Sequence, residues 1–202
     1  GQQWNLAMYI MMRMQNRALK FDLITWNAAI TACEKSLRWK QALMLMSAVS
    51  KSTLKPNVIT HNAAVSACEK AQQWEWASML LQTMWFSDAE IDVVTFSATI
   101  SACEKGLCWE RAMWLFWAMR RTRIAPNLIT CNAAISACEK GFQWKQALGV
   151  FREVAKARIV PDVITYNAAI SACKLCAQWK QSLGLFSDMR RTRIAPNMIT
   201  YL

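Results

Sequence analysis

Ile129-Thr-Cys-Asn-Ala-Ala-Ile-Ser-Ala-Cys-Glu-Lys140 is written five times with small variations, beginning at Ile24, Ile59, Val94, Ile129 and Ile164. Each start lies 35 residues after the one before, and a truncated sixth copy opens at Ile199. A fixed period of this length marks a solenoid, in which no unit buries its apolar face alone and stacked neighbours share a continuous core. Because a solenoid grows by addition, the 202 residues read as one array and not as one or two closed globules. Its complete units are 23–57, 58–92, 93–127, 128–162 and 163–197, with partial units 1–22 and 198–202.

Each unit carries two helical patterns. Ala29, Ile30 and Cys33 recur at helical spacing behind Thr25, which reads as an N-cap, and this first helix ends near Lys35. Small residues at Ala28, Ala29 and Ala32 allow a neighbouring helix to approach closely. A break follows at Ser36, Ala71, Gly106, Gly141 and Cys176, where Gly suits a left-handed helix end. The second helix starts near Trp39, and Trp39, Ala42, Leu43 and Met46 form its apolar stripe. Trp4, Trp39, Trp74, Trp109, Trp144 and Trp179 share one slot and are expected in the core. All four prolines (Pro56, Pro126, Pro161, Pro196) share another, where they stop the second helix; Ile91 stands there in unit two. The expected fold is all-α: an α-solenoid, a right-handed superhelix of five complete 35-residue helix-turn-helix repeats with partial repeats at both ends and first helices on the inner face.

Hydrophobic residues make up 54% of the chain and charged residues 18%, a composition that folds. Twenty-four Lys and Arg against 13 Asp and Glu leave a net charge of +11, which favours a polyanionic partner. Basic turns such as Arg120-Arg121-Thr122-Arg123 and Arg190-Arg191-Thr192-Arg193 also suit the negative ends of second helices. No uncharged apolar run reaches the roughly 18 residues of a membrane span. Cys33, Cys68, Cys103, Cys138 and Cys173 are one slot seen five times; stacked helices lie about 8 to 10 Å apart, too far for disulfides, so buried thiols in a reducing compartment are expected. Residues 1–22 align with 141–162, so the chain opens inside a unit and no leader is expected in this segment.

A 35-residue hairpin opening Ile164-Thr-Tyr-Asn-Ala-Ala-Ile-Ser-Ala-Cys173 and closing on Pro161-Asp162 or Pro196-Asn197 resembles the pentatricopeptide repeat, in its uniform-length class. The resemblance covers essentially the whole chain. The tetratricopeptide repeat, with its 34-residue period and different pattern, fits less well. What the pentatricopeptide resemblance implies is single-stranded RNA binding, one base per repeat, read by two side chains. The pairs carried over are Asn27 with Asn57, Asn62 with Asp92, Ser97 with Asn127, Asn132 with Asp162, and Asn167 with Asn197. By the family's pattern Asn with Asp favours uracil, Ser with Asn adenine, and Asn with Asn a pyrimidine, giving the expected core 5′-Y-U-A-U-Y-3′. The resemblance also assigns Ile24, Ile59, Val94, Ile129, Ile164 and Ile199 to sandwiching the bases, with ordinary core packing as the other reading. Lys35, Lys70, Lys105 and Lys140 become candidate phosphate contacts, or else lysines that complement the helix dipole; unit five breaks this pattern with Lys174-Leu175. Organellar RNA processing, stability or translation, in mitochondrion or chloroplast, is the setting the family implies.

Two residue-level arguments bear on the pairs. An amide donates and accepts while a carboxylate only accepts, so exchanging Asp for Asn changes which base edge is satisfied. Capping accounts for a polar residue in the first turn, yet it leaves the restriction of the unit-end slot to Asn or Asp unexplained. Cys173-Lys-Leu-Cys176 lacks the two further ligands of a zinc site, and His61, the single histidine, sits in no His-x-Glu motif. No nucleophile set, carboxylate pair or phosphate loop appears, so no catalysis, cofactor, metal or small-molecule substrate is expected. The competing function is a tetratricopeptide-like scaffold for protein or peptide partners, since solenoid surfaces serve those equally well.

Overall fold

A computed structural model describes residues 5, 9, 10, 12, 13, 21–52, 54–87 and 89–201. Among them run eleven helices: α1 (Leu23–Lys35), α2 (Trp39–Lys51), α3 (Val58–Lys70), α4 (Trp74–Phe86), α5 (Val93–Lys105), α6 (Trp109–Arg121), α7 (Leu128–Lys140), α8 (Trp144–Lys156), α9 (Val163–Leu175), α10 (Trp179–Arg191) and the short α11 (Met198–Tyr201). No strand occurs among the described residues, and the chain is an all-α solenoid of helical hairpins. It divides into two compact units, Gly1–Ala102 and Cys103–Leu202.

In the first unit α1 packs on α2 and α3, and α3 on α2 and α4. The buried stripe of α2 is Ala42, Leu45, Met46 and Val49, one step round the helix from the expected stripe, so Leu43 is only half-buried. It meets Ala29, Ile30 and Cys33 of α1 and Ala64, Val65 and Cys68 of α3. In the second unit α7 contacts α6, α8 and α9, and α9 contacts α8, α10 and α11. Alanines at the matching slots, Ala63, Ala133 and Ala168, are buried, whereas Ala28 is exposed.

Two further sequence expectations change at the helix ends. Thr25 is not the N-cap: α1 begins at Leu23, and Asp22 caps it by accepting from the Thr25 backbone N–H at 2.8 Å. Both residues are cap formers, but Asp stands at the slot with extended backbone while Thr occupies the third helical position. The turn slot at Ser36, Ala71, Gly106, Gly141 and Cys176 is not left-handed either. The next residue takes that conformation: Leu37, Gln72, Leu107, Phe142 and Ala177 have φ of 55 to 59°. Schellman bonds close each turn, as from Gln143 N–H to the Cys138 carbonyl at 2.8 Å. What Gly141 supplies is room, since a Cβ there would lie 2.3 Å from Trp109 Cδ1.

The tryptophans are less buried than expected. Trp39, Trp74, Trp109 and Trp144 are half-buried, and Trp179 is 63% exposed. Their outer edges meet cations, with Lys40, Lys145 and Lys180 over the Trp39, Trp144 and Trp179 rings at 5.4 to 5.6 Å. Trp4 lies outside the described residues. All eight cysteines are free thiols, and burial pushes Cys68 and Cys138 up to about 12, which keeps them protonated and inert.

Candidate nucleic-acid interface

The unit-end slot builds the start of the following first helix. Asp22, Asn57, Asp92, Asn127, Asp162 and Asn197 each accept from the backbone N–H of a threonine three residues on, at 2.8 to 3.2 Å. Capping therefore accounts for Asn and Asp at this slot, although Ser would cap as well, so the restriction to these two residue types exceeds what capping requires. Asn and Asp are about equally good N-caps.

The asparagine slot is tied into the same junction. Thr60 Oγ1 lies 2.7 Å from Asn27 Oδ1 and 2.9 Å from Asn57 Oδ1, so one hydroxyl proton serves both acceptors. The same bridge recurs from Thr95 to Asn62 and Asp92, from Thr165 to Asn132 and Asp162, and from Thr200 to Asn167 and Asn197. Asn62 Nδ2 donates to both Asp92 carboxylate oxygens at 3.2 and 3.1 Å, Asn132 Nδ2 to Asp162 Oδ1 at 3.3 Å, and Asn167 Nδ2 to Asn197 Oδ1 at 3.0 Å. Each of these expected reader pairs is thus directly bonded. Sequence reasoning missed the bridging threonine, although it stands at Thr25, Thr60, Thr95, Thr130, Thr165 and Thr200 without exception. An amide has two N–H protons and two oxygen lone pairs, and in Asn132 and Asn167 the bridge uses one of each, leaving one of each.

Ser97 departs from the pattern: its hydroxyl donates to the Val93 carbonyl at 2.7 Å and the residue is buried. Asn127, its expected partner, caps α7. Asp162 shows how the network tunes charge. Burial raises its carboxyl, but bonds from the Thr165 backbone and side chain and from Asn132 outweigh this and hold it below the ordinary carboxylate value.

The aliphatic slot is not core. Ile24, Ile59, Val94, Ile129, Ile164 and Ile199 are 53 to 77% exposed in the first turns of their helices, whereas Ile30, Val65, Ile100, Ile135 and Ile170 further along five of those helices are buried. In the second unit Ile164, Asn167, Asn197 and Ile199 line one cleft of about 380 Å³, with Ser136, Glu139, Ser171, Lys174 and Thr200. Two exposed aliphatic side chains thus flank a set of polar groups in this cleft.

The lysines are partnered more firmly than a solvated face requires. Lys70 Nζ bonds Glu34 of the preceding repeat at 2.8 Å, and Lys140 bonds Glu104 at 2.5 Å. The glutamates are only 16 and 18% exposed, and Glu34 also accepts from Ser66. Lys35 is exposed at the end of α1, and Lys105 ends α5. Among the described residues no group of three or more His, Cys, Asp or Glu could hold a metal, and no helix is long and apolar enough to cross a membrane. Cys176 Sγ donates to the Phe142 carbonyl at 3.1 Å, a packing contact between the turns of successive repeats.

A sequence model described as the pentatricopeptide repeat domain matches residues 5–70 and 79–141, and one described as the PPR repeat family matches 126–175 and 161–202. The chain belongs to the pentatricopeptide repeat family. No curated protein matches the sequence. Among solved structures, the pentatricopeptide repeat protein PPR10 from maize is 23% identical with a TM-score of 0.71, over 100% of this chain and 29% of that one. The pentatricopeptide repeat domain of Arabidopsis thaliana protein-only RNase P 1, solved in complex with tRNA, is 14% identical with a TM-score of 0.74, over 85% of this chain and 91% of that one. Nuclear proteinaceous RNase P 2 from A. thaliana is 12% identical with a TM-score of 0.78, over 90% and 41%. These likenesses show the pentatricopeptide repeat fold, and the present chain spans less than a third of maize PPR10.

Proposed function

We propose that this repeat array binds single-stranded RNA, one base per repeat, without catalysing a reaction on it. The observation that carries the reading is the cleft where Ile164 and Ile199 flank the bonded pair Asn167 and Asn197. Exposed aliphatic walls offer a base-tolerant sandwich, and the pair leaves a donor and an acceptor to choose among bases. Maize PPR10 has been solved with an 18-nucleotide RNA element and RNase P 1 with tRNA, which supports the same class of ligand here. A net +11 charge supports it as well.

On this reading the array 23–197 is one recognition module with core 5′-Y-U-A-U-Y-3′, the first repeat facing the 5′ end. The pairs act as base readers, the six aliphatics as sandwich walls, and Lys35, Lys70, Lys105 and Lys140 as phosphate contacts. An organellar transcript is the proposed target. Selection from a random RNA pool tests the proposal: enrichment of the pentamer core is expected, and a pool that stays random while the protein remains folded overturns it.

A further inference from the structure

We infer that Lys174 supplies the cation with which the last complete repeat holds the RNA backbone, in place of the lysine that its sequence lacks. The inference rests on the RNA reading above. Glu34, Glu69, Glu104 and Glu139 occupy one slot in four repeats, and Lys35, Lys70, Lys105 and Lys140 follow them. In the fifth repeat the two slots hold Lys174 and Leu175. The pair changes from one negative and one positive charge to a single positive one, a gain of +1 at that point of the groove.

Geometry gives the exchange its meaning. Asn167, Ser171 and Lys174 are spaced i, i+4 and i+7 on α9 and therefore share the face that carries the reader. All three line the 380 Å³ cleft with Ile164, Asn197 and Ile199. The glutamate slot of the other repeats faces the same way, and there its charge is met by the lysine of the next repeat, as Lys70 meets Glu34 and Lys140 meets Glu104. Glu139 shares the cleft wall with Ser171 and Lys174, so the fifth repeat puts its cation on the groove side where the others put an acid. Leu175, at the register of the missing lysine, is 50% exposed and carries no charge. A lysine on a flexible stem suits a phosphate oxygen and does not discriminate among bases. Lys174 therefore adds affinity at the 3′-terminal nucleotide without adding selectivity.

The test is a cycle between the protein and the RNA backbone. The full chain is titrated with fluorescein-labelled 5′-UUAUU-3′ and with the same RNA carrying neutral methylphosphonates at its last two linkages. Lys174→Ala should weaken binding of the normal RNA about five- to tenfold at low salt and reduce the log K against log salt slope by about 0.7. On the methylphosphonate RNA the same substitution should change affinity less than twofold. The double variant K174E/L175K recreates the Glu-Lys pair that four other repeats fold with, and its new lysine should recover most of the binding of the normal RNA that Lys174→Ala loses. Equal losses on both RNAs, or no loss on either, overturn the inference while leaving the RNA reading intact. Failure of the unaltered protein to bind either RNA sinks the RNA reading, and the inference with it.

Discussion

Asp162 and Asn197 hold the same place at the start of successive first helices, and the two capping side chains differ in one heavy atom. Each caps its helix through Oδ1, at 2.8 Å to the Thr165 N–H and 3.2 Å to the Thr200 N–H. Each also accepts from the asparagine on the preceding first helix, Asn132 or Asn167. The second side-chain atom is an acceptor-only Oδ2 in Asp162 and a donor Nδ2 in Asn197. Helix capping favours both residue types and is indifferent between them. That indifference is what leaves the slot available to encode something else. A position can serve the fold through one atom and a ligand through the other, and finding a structural reason for it does not remove the functional one.

The strongest way to break the comparison is to remove the atom both junctions share. Thr165 is fully buried and its hydroxyl reaches Asn132 and Asp162, so Thr165→Val strands two acceptors at nearly constant volume. A loss of about 2 kcal/mol is expected in urea denaturation. Thr200→Val, at the less buried junction, should cost less than half of that. Equal midpoints for both variants and the parent protein would show that the bridge does not hold the repeats together. A smaller effect separates cap from charge: Asp162→Ala should cost about 1 kcal/mol, and Asp162→Asn only a few tenths. If the amide costs as much as the alanine, the carboxylate has a structural task and the slot is not free.

Much of this was legible beforehand, because a 35-residue period, a Trp opening each second helix and, in four of the five complete units, a Pro after it mark the element boundaries. The junction was not. Asp22 and Thr25 are both cap formers three residues apart, and only the backbone shows which stands at the extended position. Gly141 read as a left-handed residue because glycine most often ends helices that way, yet its role is to admit Trp109, a contact 32 residues back in sequence. The exposure of the six aliphatics was also beyond the pattern, since an isoleucine beside a helix start reads equally as core or surface. Periodicity reports which residues are equivalent, and it takes packing to say what they face.

Acid titration gives a weaker handle on the same pair. The Asp162 carboxyl is held below its unfolded value, so its stabilising contribution is full above the unfolded value of about 3.9 and fades as pH falls through the lower folded value. Asp162→Asn removes this group, so the gap in denaturation midpoint between parent and variant should shift toward the variant below about pH 4 and stay constant between pH 5 and 8. A gap that varies across the neutral range would assign the effect to another group.

The effect on base choice bears most directly on what the slot encodes. Asn197→Asp turns the pair with Asn167 into the combination already present at Asn132 with Asp162, whose cap and bridge distances show that this geometry accepts a carboxylate. Stability should therefore stay within about 0.5 kcal/mol. The cleft between Ile164 and Ile199 keeps its walls, so the sandwich and its sequence-independent part of the affinity are unchanged. What changes is one donor for one acceptor at the base edge. The preference for uracil over cytosine at the 3′-terminal position of 5′-UUAUU-3′ should rise about fivefold, which corresponds to about 1 kcal/mol, the low end for a single mismatched base. Competition titrations of the UUAUU and UUAUC oligonucleotides read this directly. Unchanged preference with retained binding would mean that the slot is a cap in both chemical forms and that base choice lies elsewhere in the groove.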